Sequence, residues 1–179
     1  NEKGYVSYHQ DAKYIGLEPH NWVTAWVALT DSNEKNGCMK MWPKSHLEIK
    51  GHNEKFNKGN LLTRGQTVEN VPENETKLVE LKAGQMSLHH PKIVHGSGFN
   101  KSNDRRIGFV IQSYIGTNVK QTLGKNSVQL ARGEDKFNYH EVIKRTGVLM
   151  SKKNISLRNR ENKYLQEIFY KGSSQKGSY

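Results

Sequence analysis

Apolar and β-branched residues fall in short runs separated by turn-forming clusters. Residues 22–29 (WVTAWVAL) are rich in aromatic and β-branched side chains and predict a strand. The run ends at Thr30-Asp31-Ser32-Asn33, a turn cluster. Asn36-Gly37 is a tight-turn signal, and residues 38–42 (CMKMW) predict a second strand that Pro43 stops. Residues 76–81 (TKLVEL) alternate as a strand does, Ala83-Gly84 turns the chain, and residues 85–90 (QMSLHH) predict another strand. Residues 107–115 (IGFVIQSYI) give the clearest strand of all. Residues 44–75 are polar throughout and are expected to form a long loop or lid. Several short strands divided by turns point to an antiparallel sandwich or barrel. Beyond residue 133 the pattern changes. Residues 134–145 and 160–170 predict short helices, the second because Tyr164, Leu165, Ile168 and Phe169 lie at helical spacing. Residues 171–179 (KGSSQKGSY) are expected to fray.

A length of 179 residues predicts one domain, with a β-core over residues 1–133 and a helical, basic segment over 134–179. No run approaches the roughly 18 apolar residues that a bilayer span needs, so no membrane segment is expected. Asn1-Glu2-Lys3-Gly4 forms no apolar leader. Cys38 is the only cysteine, which excludes an internal disulfide or a paired-cysteine metal knuckle. A reducing, cytoplasmic setting is the simplest expectation. The net charge of +11 is uneven. Residues 144–179 hold nine Lys and Arg against Glu161 and Glu167. A solvated, lysine-rich terminus explains this more simply than a nucleic-acid partner, because no recognition module accompanies it.

The candidate chemistry lies in YVSYHQDAKY (5–14) and HHPKIVHGSGFNKSNDRRIGFVIQSY (89–114). Residues two apart in a strand share a face, so a strand through residues 5–11 would project His9 and Asp11 together and turn Gln10 away. His95, followed by Gly96-Ser97-Gly98, supplies a third ligand candidate from far along the chain. Two imidazoles and one carboxylate form the ligand set of a mononuclear non-haem Fe(II) centre with open positions. Arg106 opens the strand at 107–115, and its guanidinium can grip a carboxylate through two hydrogen bonds. Its neighbour Arg105 reads as a surface charge. His89 and His90 read as sheet or rim histidines. His20, His46, His52 and His140 read as structural or exposed.

These residues resemble the phytanoyl-CoA dioxygenase family of Fe(II)- and 2-oxoglutarate-dependent oxygenases. The resemblance rests on HQDAKY (9–14), VTAWVALTDSNEKNGCMKMWPKSH (23–46), LKAGQMSLHH (81–90) and HGSGFNKSNDRRIGF (95–109). It implies a mainly β, double-stranded β-helix (jelly-roll, cupin-like) core. It implies His9, Asp11 and His95 as iron ligands and Arg106, assisted by Ser97, as the group that binds the distal carboxylate of 2-oxoglutarate. Trp26 would line the co-substrate pocket, with Gln10 close to it. The implied reaction uses O2, converts 2-oxoglutarate to succinate and CO2, and hydroxylates a small organic substrate. Halogenating relatives lack the carboxylate ligand, so Asp11 favours hydroxylation.

Two departures stand out. Lys44 occupies a turn position where the family usually has glycine, which predicts a shifted loop. Only eight residues precede His9, where family members carry a substantial segment. The chain is therefore expected to be the C-terminal part of a longer enzyme. The competing expectation is a non-catalytic or degenerate metal-binding barrel of the same fold.

Overall fold

The computed structural model describes residues 4–144 and 147–173. Its strands in chain order are β1 (Val6–His9), β2 (Leu17–Glu18), β3 (Trp22–Ala28), β4 (Met39–Trp42), β5 (Asn53–Glu54), β6 (Gln66–Thr67), β7 (Lys77–Val79), β8 (Met86–His89), β9 (Val94–Ser97), β10 (Gly108–Ile115), β11 (Lys120–Gln121), β12 (Ser127–Val128) and β13 (Glu141–Val142). Two helices accompany them, α1 (Ala12–Ile15) and α2 (Lys152–Phe169). Two antiparallel sheets form the framework. One has the order β1-β9-β4-β7 and the other β10-β3-β8. The fold is thus mainly β, as expected, and the long runs at 22–29 and 107–115 pair with each other.

Register decides what faces the space between the sheets. In the first sheet His9 lies opposite His95, and His95 opposite Met41. In the second, Thr24 lies opposite His89 and Trp26 opposite Ser87. Directly opposed residues share a face. Each sheet therefore presents one row of chemically useful side chains. Gly96 lets β1 and β9 close up, because a Cβ there would stand 2.8 Å from the Val6 carbonyl oxygen. Ile15, Leu17, Trp22 and Val119 form a buried cluster beside the sheets, with Ile115 and Phe169 packed against it.

Residues 44–75 hold only the two-residue strands β5 and β6 and single turns of 3-10 helix at Ser45–Leu47 and Glu73–Glu75. The expected loop is present, and it is tied down. Buried Arg64 hydrogen-bonds the carbonyls of Phe169 (3.1 Å) and Lys171 (3.0 Å) and pairs with Glu54. A cation at a helix C-terminus meets the carbonyls that the helix itself leaves unpaired.

The C-terminal helices differ from expectation. Within 134–144 there is no helix. The Asp135 side chain accepts hydrogen bonds from the amides of Phe137 and Asn138, both at 3.0 Å, and Asn138 has a left-handed φ of 53°. This local side-chain bonding competes with helical hydrogen bonds. The second helix begins earlier than expected, at Lys152, because the Ser151 side chain caps it by accepting from Asn154 N at 3.3 Å. Of the segment expected to fray, residues 174–179 lie outside the described residues. Among the described residues, no helix is long and apolar enough to cross a membrane.

Lys44 adopts φ 66°, the conformation a glycine takes without penalty, and Ser45 still turns back to bond Trp42 O at 2.7 Å. A left-handed residue with a Cβ carries roughly 1–2 kcal/mol of strain, part of which glycine's greater unfolded-state entropy offsets. Lys44→Gly should therefore stabilise the fold by about 0.5–1 kcal/mol. A raised urea midpoint at unchanged m-value would show it; an unchanged or lowered midpoint would refute it.

Candidate metal centre

β1 stops at His9. Asp11 is not in strand conformation, as a simple alternation would have it. It takes helical angles (φ −56°, ψ −40°) and leads into the single turn α1. Its carbonyl accepts from the amides of Tyr14 (3.1 Å) and Ile15 (3.2 Å), and Ala12 N donates to Pro91 O at 3.0 Å. The turn nevertheless brings the carboxylate beside the imidazole, with His9 Nε2 and Asp11 Oδ1 3.5 Å apart.

His9, Asp11 and His95 are all buried, and each offers a ligand atom within 4.8 Å of the others'. The His9 and His95 rings lie 4.2 Å apart between centroids. The remaining nitrogens explain the orientation. His9 Nδ1 is 2.9 Å from Ser7 O, and His95 Nδ1 is 3.0 Å from Ile93 O. A proton on each Nδ1 donates to a backbone carbonyl, so each Nε2 is left as a free lone pair directed at the common centre. Among the described residues, this is the one group of three or more ligating side chains so placed. Two imidazoles and a carboxylate converging within ligand range suit a borderline-hard divalent cation.

Electrostatics point the same way. Burial pushes the His95 pKa down to about 3, reinforced by His9 and opposed by Asp11. Burial alone would raise the Asp11 carboxyl, but the neighbouring imidazoles of His9, His95 and His89 hold it well below the usual carboxylate range. His95 is therefore neutral and Asp11 ionised at neutral pH, the states that metal ligation requires of an imidazole and a carboxylate.

Arg106, Ser97 and Trp26 form a second group. Arg106 Nη2 donates to Ser97 Oγ at 3.4 Å, and the guanidinium lies 5.6 Å from the Trp26 ring centroid. Arg106 is half-buried and has no carboxylate partner among the described residues, and burial lowers its pKa. Gly108 makes room for this arrangement, because a Cβ there would fall 2.1 Å from Trp26 Cζ2. Arg105 is exposed, in keeping with a surface charge.

Gln10 does not join either group. Its side chain is fully buried and spent on backbone. Nε2 donates to the carbonyls of Glu48 (2.9 Å), Ser45 (3.4 Å) and Lys92, and Oε1 accepts from Lys50 N at 2.8 Å. Gln10 pins the loop after β4 to the ligand strand and has no donor left for a co-substrate. His52 works with it: its Nε2 accepts from Gln10 N at 3.0 Å, while its Nδ1 bonds Lys50 O at 2.9 Å.

Two residues at the centre escaped sequence reasoning. Thr24 Oγ1 donates to Asp11 Oδ2 at 3.0 Å. His89, read from sequence as a sheet or rim histidine, is buried with its ring 4.8 Å from that of His95 and its Nε2 4.0 Å from Asp11 Oδ2. The available signal was alternation: Thr24 and Trp26 share one strand face. His90 stays apart, its Nδ1 accepting from Lys92 N at 3.2 Å and its ring 5.7 Å from His46. His140 is structural, bonded to Asn126 and Val119. A cavity of about 770 Å³ lies elsewhere, between β10, the segment 126–142 and α2. None of the candidate site residues lines it.

This donor set on an antiparallel framework defines a class: mononuclear metal proteins that keep coordination positions open for other ligands. The chain belongs to the phytanoyl-CoA dioxygenase (PhyH) family, whose profile matches residues 1–108. It is 32% identical over 104 residues to a phytanoyl-CoA dioxygenase of Arabidopsis thaliana, covering 58% of this chain and 36% of that protein. It is 28% identical over 101 residues to the peroxisomal phytanoyl-CoA dioxygenase of Homo sapiens, covering 55% of this chain and 30% of that one. Among solved structures, the apo form of the non-heme monooxygenase ThoJ superposes with a TM-score of 0.79 at 29% identity, covering 95% of this chain and 62% of ThoJ. The ThoJ–Ni complex gives 0.74 at 28%, covering 95% and 61%. The chain thus spans about a third of the length of these curated relatives.

The histidines predict a pH dependence. Burial lowers the His52 pKa from 6.5 to about 4. Above pH 6.5 both folded and unfolded chains hold it neutral, and it has no effect. Between 6.5 and about 4 the unfolded chain binds a proton that the folded chain refuses, so stability falls as pH falls. His95 acts in the same direction. Denaturant titrations of the metal-free protein should show stability level above pH 6.5 and declining steadily toward pH 4. His52→Gln should flatten part of that decline, and an equally steep profile in the variant would refute the assignment to His52.

Proposed function

We propose that this chain carries the metal centre of an Fe(II)- and 2-oxoglutarate-dependent oxygenase that hydroxylates a small organic substrate, with succinate and CO2 as co-products. The observation that carries the reading is the convergence of His9, Asp11 and His95 in a family whose members are named as dioxygenases. Nε2 of His9, Oδ1 of Asp11 and Nε2 of His95 are the atoms that would hold Fe(II). The bound iron supplies O2 activation, coupling oxidative decarboxylation of 2-oxoglutarate to oxidation of a C–H bond.

The protein's own share is binding, orientation and exclusion of water. Arg106 and Ser97 receive the distal carboxylate of 2-oxoglutarate, and Trp26 flanks it. A half-buried guanidinium without a counter-ion is a ready anion site, because desolvation strengthens its pull on a carboxylate. Asp11 fills the position that a halogenating enzyme would leave for chloride, which favours hydroxylation. A solved relative that is a non-heme monooxygenase in complex with Ni supports a divalent metal at this centre.

His9→Ala or Asp11→Ala should abolish Fe(II)-dependent succinate formation from 2-oxoglutarate. Arg106→Ala should raise the 2-oxoglutarate concentration for half-maximal turnover about 10- to 100-fold, the scale of one or two charged hydrogen bonds. Succinate formation that survives loss of either ligand would sink the assignment. Metal binding without any 2-oxoglutarate turnover, across a broad substrate panel, would favour the non-catalytic barrel instead.

A further inference from the structure

The Asp11 carboxylate has two oxygens in two different environments. Oδ1 faces the imidazole of His9, at 3.5 Å from Nε2. Oδ2 faces the opposite sheet, where Thr24 Oγ1 donates to it at 3.0 Å and His89 Nε2 stands 4.0 Å away. Thr24 and His89 are direct cross-strand partners on β3 and β8, so a single rung of the second sheet brackets one oxygen of a ligand held by the first. His89 also packs against the second imidazole, its ring 4.8 Å from that of His95. One side chain therefore contacts two of the three candidate ligands.

His89 is not explained by packing alone. Its side chain is 4% exposed, yet its Nδ1 has no hydrogen-bond partner among the described residues. An unpaired buried polar atom opposes folding, and an apolar ring of similar shape would pack there without that penalty. Folding therefore favours phenylalanine at this position, and a histidine there needs another reason.

We propose that Thr24 and His89 are positioning residues of the metal centre. They lock the outer oxygen of Asp11 and wedge the His95 ring, so that Asp11 presents a single oxygen toward the metal. The hydroxyl fixes the carboxylate by a hydrogen bond. At 4.0 Å the imidazole is beyond hydrogen-bond range, and it acts on Oδ2 through its ring dipole, which a phenyl ring of the same bulk lacks. The inference rests on the metal-centre reading above and does not depend on which substrate is oxidised.

The test is Co(II) binding to the protein, followed by its visible absorption and by the metal-induced rise in melting temperature. Thr24→Val should weaken Co(II) binding about 10- to 100-fold, the usual loss when a group that orients a ligand is removed. Thr24→Ser, which keeps the hydroxyl, should restore it. His89→Phe should weaken binding on the same scale and alter the Co(II) absorption, while the metal-free protein melts at the same temperature or higher. A wild type that binds no Co(II) refutes the metal-centre reading itself. A wild type that binds while Thr24→Val and His89→Phe bind equally well overturns this inference alone. So does a His89→Phe protein that melts lower without metal and keeps its Co(II) affinity, because that pattern assigns His89 to packing.

Discussion

The hydrogen bond from Thr24 Oγ1 to Asp11 Oδ2 joins the two sheets at the site. Asp11 lies in the turn that follows the first sheet's edge strand, and Thr24 in the middle strand of the second sheet. A carboxylate buried between two sheets must be compensated, since a desolvated charge without partners is strongly unfavourable. Here the compensation is divided. The His9 imidazole from the first sheet faces one oxygen, and a hydroxyl from the second bonds the other. The spacing of the sheets at this level is therefore tied to the geometry of one side chain.

The same economy governs the backbone around the ligands. A His-x-Asp segment that ends a strand and starts a helical turn leaves its middle residue pointing outward. Gln10 uses that direction to gather the carbonyls of residues 45, 48 and 92 and the amide of Lys50. His52 then holds the Gln10 amide. A polar loop that would otherwise be mobile becomes a collar around the ligand strand. Buried polar networks of this kind add rigidity only when every member is satisfied, and Gln10 is satisfied at both ends of its amide. The collar is why a stretch rich in Lys, Asn and Gly can sit beside a centre that needs fixed ligand positions.

Much of this was legible in the sequence. The strands at 22–29, 38–42, 76–81, 85–90 and 107–115 all occur with small changes at their ends, because β-branched runs bounded by turn residues carry a local signal. The family resemblance, carried by short motifs, picked out His9, Asp11, His95 and Arg106, and the structure groups the first three together. What was not legible depends on register and on competing local bonds. In β10 the run FVIQSYI is apolar on both faces, so alternation could not say which face turns inward. His89 looked like a rim residue because nothing in one sequence places β8 beside β3 with His89 opposite Thr24. Of the helix expected at 134–145, the described residues 134–144 form none because an Asx-type turn at Asp135 outcompetes it, and α2 begins early because Ser151 caps it. Gln10 was misjudged for a related reason: its hydrogen bonds run to residues 35 to 82 positions away.

The charges of the two groups at the centre argue for a particular kind of ligand. On the proposed reading, a divalent metal held by two neutral imidazoles and one carboxylate keeps one positive charge uncompensated. Arg106 adds a second, and no described carboxylate answers it. Both lie in partly desolvated surroundings, where an unbalanced charge is costly and its complement is strongly attracted. A monoanion satisfies only one of them. A dianion satisfies both at once, and 2-oxoglutarate carries that charge. Trp26 then has a specific place in the argument. It lies on the strand face that carries Thr24, two rungs from the one that brackets Asp11, with the guanidinium over its ring and Gly108 leaving room for that ring. The ring and the Ser97 hydroxyl both contact the guanidinium, and on the proposed reading they would hold it ready for a dicarboxylate.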